Sequence, residues 1–305
     1  MHILLAIDGS PFSEAAGNLL RRIPMPSPPE LTLLTVVDSP DDEEPNAQQE
    51  WQQALQHNAR QLLTQEAERF TAAGWTPHTM LREGHAAHEI VEAAGEVSAD
   101  LIAVGSRGLG SVKRFLLGSV SEKVMAYAPC SVLIARQPPD RGAEETALRL
   151  LLAYDGSPTA AAAVETIASL PLQAHTHILI TTVMELLTYY RMDIIQTTNP
   201  GWQAKKQAAQ ADIEQAAQAL RQVTPNVSVE LQEGNDISQE LLDAATAFNA
   251  DLIVMGHKGK SGLERFLLGS VANRVVHHAP CSVWIMRQSG ALAHRGDTNN
   301  PCMST

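Results

Sequence analysis

Glycines and serines with the spacing of an anion cradle occur twice in this chain. Two residues separate Gly105 from Gly108, and nine residues separate Gly108 from the pair Gly118-Ser119, which continues into Val120 and Ser121. Gly256, Gly259 and Gly269-Ser270, continuing into Val271, repeat the same spacing. Glycine tolerates positive φ and lets a ligand come close to backbone N–H groups. A Gly-Ser pair that opens a helix adds unpaired N–H donors and the positive end of the helix dipole, which together suit a phosphate. Ser119-Val120-Ser121-Glu122 also has the pattern of a capping box, which needs no ligand. The specific feature is the nine-residue spacer, kept in both places alongside an aspartate that ends an apolar run, Asp8 or Asp155. The spacing is neither G-x-x-x-x-G-K-[ST] nor G-x-G-x-x-G, so a P-loop and a dinucleotide fingerprint are excluded. The implied chemistry is capture of a polyphosphate, with Asp8 and Asp155 available to help hold Mg²⁺ on it.

The elements that must position these residues also occur twice. Ala99–Arg136 and Ala250–Arg287 share 21 of 38 aligned residues, and "LLAIDGSPFSEAA" from Leu4 returns as "LLAYDGSPTAAAA" from Leu151. A repeat period near 150 residues is the size of a domain. Each half opens on a short apolar run, Ile3–Ile7 or Leu150–Tyr154, followed by Asp-Gly-Ser-Pro, where serine before proline predicts a helix start. A second apolar run follows (Leu31–Val37; Ile178–Val183), then a long helical stretch (Gln48–Ala73; Gln203–Val223) and a weaker strand ending at Gly84 or Gly234. Another helix (His88–Val97; Ile237–Phe248) leads to "ADLIAVG" or "ADLIVMG", and a last helix and strand close each half. Strands alternating with helices predict two tandem, doubly wound, parallel five-stranded α/β sheets with helices on both faces. The expected domains are 1–137 and 147–288, with a linker at 138–146 and a polar tail at 289–305. Such sheets bind ligands at the carboxyl ends of their strands, which is where Asp8, Gly105, Asp155 and Gly256 fall.

Composition narrows the partners. A formal charge of −12 argues against capture of nucleic acid or anionic lipid, so a phosphate must be held locally. No run of eighteen apolar residues suggests a membrane span, and no basic-then-apolar leader opens the chain, so a cytoplasmic protein is expected. Cys130 and Cys281 occupy equivalent "APCSV" positions and read as small buried hydrophobes. His85 and His88 lack an evident third ligand, so no metal site is expected there. The acidic run "DSPDDEEPN" reads as a solvated loop, and Glu185–Gly201, longer and more apolar, has no assigned role. No nucleophile elbow or H-E-x-x-H motif signals catalysis.

The spacing G-x2-G-x9-G-[ST] after "DLIAVG" and before "PCSVLI" resembles the ATP-binding subclass of the universal stress protein family, here in its tandem form. The resemblance implies an adenine nucleotide alpha hydrolase-like fold and one ATP or ADP per domain, bound with or without Mg²⁺. It implies phosphates and ribose against Gly105, Gly108, Gly118, Ser119, Val120 and Ser121. Asp8 would then face ribose or adenine, and Val36 would meet adenine through its main chain. In the second copy the matching residues are Asp155, Val183, Gly256, Gly259, Gly269, Ser270 and Val271, while Ala272 replaces Ser121. The resemblance also implies that Ser131–Arg136 and Ser282–Arg287 are edge strands that pair two copies, here within one chain, with a further homo-oligomer left open. The functions implied are stress response or signalling with slow or no turnover. The alternatives are an ATPase or autophosphorylating enzyme using the same sites, or a nucleotide-free interaction scaffold.

Overall fold

A computed structural model describes residues 1–38, 45–109, 117–137, 147–186, 199–260 and 268–287, with 45–51 as backbone alone. The linker at 138–146, the tail at 289–305, most of the acidic run and most of Glu185–Gly201 lie outside the described residues.

The first copy runs β1 (His2–Ala6), α1 (Pro11–Arg22), β2 (Glu30–Val37), α2 (Pro45–Ala72), β3 (Thr76–Glu83), α3 (Ala86–Glu96), β4 (Leu101–Gly105), α4 (Ser119–Tyr127) and β5 (Ser131–Ala135). The second runs β6 (Arg149–Ala153), α5 (Pro158–Ser169), β7 (His177–Glu185), α6 (Pro200–Leu220), β8 (Val227–Gly234), α7 (Ile237–Ala247), β9 (Leu252–Gly256), α8 (Ser270–His278) and β10 (Ser282–Met286). The sheet order is β3-β2-β1-β4-β5-β10-β9-β6-β7-β8. Within each copy all pairings are parallel, whereas β5 and β10 pair antiparallel, with Leu133 opposite Trp284. The expected pair of five-stranded sheets is therefore one ten-stranded mixed sheet. The physical reason is the exposed ladder of an edge strand: β5 and β10 satisfy each other's unpaired backbone groups.

The inner strands are mostly apolar because both faces are covered, whereas β3 and β8, at the two ends of the sheet, are mixed in sequence and part-exposed. Ile3, Leu5, Leu101 and Ala103 point to the layer built from α1, α2, α5 and α6. Leu4, Ile102 and Val104 point to the layer built from α3, α4, α7 and α8. Each of these cores contains residues of both copies. Ser10 and Ser157 start α1 and α5 as expected, their hydroxyls accepting from the N–H of Ser13 and Ala160 at 3.2 Å each. Cys130 and Cys281 are buried without a disulfide, and burial, with Asp100 nearby, pushes the Cys130 thiol up to about 12.

Candidate functional site

In each copy the chain leaves adjacent strands in opposite directions: β1 connects toward β2, and β4 connects toward β5. Their carboxyl ends therefore open a crevice at the topological switch point. In the first copy this crevice has a volume of about 590 Å³. Asp8, Val36, Gly105 and Gly108 line its strand side, and Gly118, Ser119, Val120 and Ser121 line the side formed by the start of α4. The second crevice, about 920 Å³, brings together Asp155, Val183, Gly256 and Gly259 with Gly269, Ser270 and Val271. Both volumes lie in the range of small-molecule sites, roughly 300–1,000 Å³.

The glycines act through close approach rather than through positive φ. Gly118 and Gly269 have φ of −73° and −69°. Positive φ is found instead at Gly9 (+76°) and Gly156 (+71°), which turn the chain directly after the aspartates. A Cβ on Gly105 would stand 2.7 Å from the Phe12 carbonyl carbon, so this glycine lets α1 rest on the end of β4. A Cβ on Gly108 would stand 2.8 Å from Asp8 Oδ2, and one on Gly259 would stand 2.8 Å from Asp155 Oδ2. These two glycines thus keep the carboxylates in the crevice.

The capping box does not form. Gly118 is the N-cap of α4 and Gly269 that of α8, and no side chain caps either helix. Ser119 and Ser270 are consequently first-turn residues, both exposed at the crevice. The amide ends of α4 and α8 face the cavities without a side-chain acceptor, unlike those of α1 and α5. Gly118 N–H itself donates to the Ser106 carbonyl at 2.8 Å, and Gly269 N–H donates to that of His257 at 2.8 Å, which anchors the start of each helix to its strand-end loop. The Ser121 hydroxyl donates to the Gly105 carbonyl at 2.9 Å, so this side chain ties α4 to β4. Ala272 offers no such tie.

The aspartates are exposed and only partly engaged. Asp8 Oδ1 accepts from Ser10 N–H at 2.9 Å, and Asp155 Oδ1 accepts from Ser157 N–H at the same distance. Asp155 Oδ2 also accepts from the backbone N–H of Lys260 at 3.2 Å. Around this common frame the two crevices differ. Arg107 stacks its guanidinium 4.4 Å from the centre of the Phe12 ring in the first. In the second, Thr159 stands where the first has Phe12, and its hydroxyl donates to the Lys258 carbonyl at 2.8 Å. Tyr154, His257 and Lys260 occupy the positions of Ile7, Ser106 and Leu109, and Asp212 joins from α6. Burial raises the Tyr154 pKa, with the charges of Asp212 and Asp155 adding to the effect. Burial lowers the His257 pKa, and Arg287 and Lys258 lower it further against the favourable Met286 carbonyl. Tyr154, His257 and Lys260 could have been found as departures between the aligned copies. Asp212 sits in a helix whose repetitive Ala/Gln sequence gives no sign of which face meets the crevice.

No helix among the described residues is long and apolar enough to cross a membrane. A model of the universal stress protein family matches residues 1–136 and again residues 147–287. A universal stress protein of Mycolicibacterium smegmatis is 29% identical over 215 residues, covering 70% of each chain. A Staphylococcus aureus protein named for the same family is 36% identical over 140 residues, 44% of this chain and 83% of that one. Among solved structures, a universal stress protein from Archaeoglobus fulgidus superposes with a TM-score of 0.62 at 23% identity, covering 94% of this chain and 98% of that one. At that identity the likeness speaks for the fold.

Proposed function

Because the chain belongs to the universal stress protein family, with two copies of its domain in tandem, we propose that it binds one adenine nucleotide, ATP or ADP, in each crevice. The observation that carries this reading is the pairing, twice over, of a helix start without a side-chain cap and an exposed aspartate across a cavity of nucleotide size. First-turn N–H groups and the helix dipole favour an anion, so the phosphates belong against Ser119-Val120 and Ser270-Val271. The inner wall is apolar, with Leu34, Val36 and Ile90 in the first crevice and Val183 and Leu241 in the second. That surface suits a purine ring. Asp8 and Asp155 are left for ribose hydroxyls or for Mg²⁺ carried in with the phosphates. The Ser121 hydroxyl supports the site from behind, through Gly105.

The reading is of a cytoplasmic binding protein for stress response or signalling, with slow or no turnover. Orienting phosphates is necessary for phosphoryl transfer but does not by itself activate a water. Native mass spectrometry of protein purified without added nucleotide should show adenine-nucleotide mass on the chain. With labelled ATP, phosphate release should be slow and no label should stay on the protein. A chain that takes up no nucleotide at any concentration tried would overturn the binding claim, and rapid release or stable labelling would overturn the claim of low turnover.

A further inference from the structure

Each of the two seam strands is followed by an arginine that reaches into the other copy. Arg136, 8% exposed, donates through Nη2 to the Val276 carbonyl at 2.7 Å and to the His277 carbonyl at 3.2 Å, in the last turn of α8. Arg287 donates through Nη1 to the Ala128 carbonyl at 3.0 Å and through Nη2 to that of Met125, at the end of α4. The backbone is latched at the same places: Arg136 N–H donates to Ser282 Oγ and Arg287 N–H to Ser131 Oγ, both at 3.1 Å. Burial lowers both guanidinium pKa values. A buried cation that stays charged must recover its lost hydration through hydrogen bonds, and here helix C-terminal carbonyls, the negative ends of two dipoles, supply them.

These contacts close a circuit through both crevices. Gly118 N–H donates to the Ser106 carbonyl, and Ser106 N–H donates to that of Ala135 at 2.7 Å, next to Arg136. Arg136 holds the end of α8, whose start, Gly269, donates to the His257 carbonyl. His257 N–H donates to the Met286 carbonyl at 2.9 Å, next to Arg287, which holds the end of α4. The helix whose amide end faces one crevice is thus gripped at its other end by the opposite copy. α4 and α8 have nine residues each, so a change in grip displaces the whole short rod rather than being absorbed along it.

We propose that Arg136 and Arg287 are crossed positioning residues: Arg287 sets the nucleotide affinity of the first crevice by holding α4, and Arg136 sets that of the second by holding α8. The proposal rests on the nucleotide reading of the crevices. It is tested by measuring ATP affinity calorimetrically at one crevice at a time, with the second closed by Gly259→Val or the first by Gly108→Val. Arg287→Met keeps the apolar stem and removes the donors. It should weaken ATP at the first crevice by about tenfold, within the usual span of coupling between sites, and by at least fivefold more than at the second. Arg136→Met should give the mirror image, and lysine at either position should recover part of the loss. A structural role alone would lower the melting temperature without the crossed pattern, so equal effects on both crevices, or none, overturn the proposal. A measurement that leaves both arginines in place guards against misfolded variants. ATP added to the Gly259→Val protein should slow hydrogen exchange at Met286 and Arg287, across the seam from the occupied crevice, and unchanged exchange there also overturns it. If neither single-crevice protein binds ATP, the nucleotide reading itself fails and this inference falls with it.

Discussion

Nine residues separate Gly108 from Gly118, and the structure gives the two glycines different work. A side chain at 108 meets the Asp8 carboxylate, whereas one at 118 meets the Arg107 Cα at 3.3 Å and the Ser106 carbonyl at 3.4 Å. Gly108→Val should therefore abolish nucleotide binding at the first crevice while moving the melting temperature little, because Asp8 is exposed and can swing away. Gly105→Ala should instead destabilise the fold, since its Cβ would press on the α1 backbone. Chemical denaturation beside nucleotide titration separates the two. Ser121→Ala should cost about 1 kcal/mol of stability, the usual net worth of one hydrogen bond, through loss of the tie to Gly105. The sign of the pH effect follows from His257. Its folded pKa lies below the ordinary 6.5 because of burial first and then Arg287 and Lys258. The unfolded chain then binds the proton more readily, so the stability this residue contributes is complete above 6.5 and is lost as pH falls from there to the folded value. A bound polyphosphate favours the imidazolium, so affinity at the second crevice should rise relative to the first as pH falls toward the lowered folded pKa of His257. His257→Ser, which copies the first crevice, should remove that difference; a ratio independent of pH in the parent protein would rule the effect out.

α4 and α8 begin on glycine with no side-chain cap, while α1 and α5 begin on serine with one. One helix type is finished locally by its own side chain, and the other is the one to which the proposed function assigns a phosphate. Ser119→Asp tests this by acting in opposite directions on two readouts. A carboxylate in the first turn should stabilise α4 by about 0.3–1 kcal/mol through the dipole. The same charge should weaken ATP at the first crevice by more than tenfold, because it occupies the donors that the phosphates need. A variant that is more stable and still binds ATP unchanged would show that the helix start is not the phosphate site. The elements themselves were legible in the sequence because their signals are local. Ser-Pro fixed the starts of α1 and α5, and the apolar runs at Leu101 and Leu252 became β4 and β9. The alternative pattern at Ser119 and Glu122, a capping box, does not form, because it carries no information about which residue leaves helical φ/ψ first; the tie from Gly118 to Ser106 puts that point one residue back. The glycine spacing likewise does not say which glycines take positive φ, and at the crevices the structure puts it at Gly9 and Gly156. Gly105 and Gly256, at the strand ends, are needed for the approach of α1 and α5, contacts between residues far apart in sequence.

At the scale of the whole chain, the seam between β5 and β10 turns two domains into one sheet and places Trp284, 2% exposed, against Leu133. Trp284→Ala should destabilise the protein by about 3–5 kcal/mol, as loss of a buried aromatic does, and should raise hydrogen exchange in β5 of the other copy as well as in β10. Protection of β5 unchanged by the substitution would show that the copies do not support each other. That the last strands would meet was legible from their apolar sequence and the family resemblance. The crossed grip of Arg136 and Arg287 was not, because arginine at the end of a strand reads as an ordinary solvated terminus until the partner helix is in place. The two crevices are built alike from one duplicated frame. The most direct test of nucleotide binding at both is calorimetric titration of nucleotide-stripped protein with ATP: the predicted result is two nucleotides per chain, falling to one in Gly108→Val and in Gly259→Val, and saturation with no nucleotide, or with one that survives both substitutions, would contradict it.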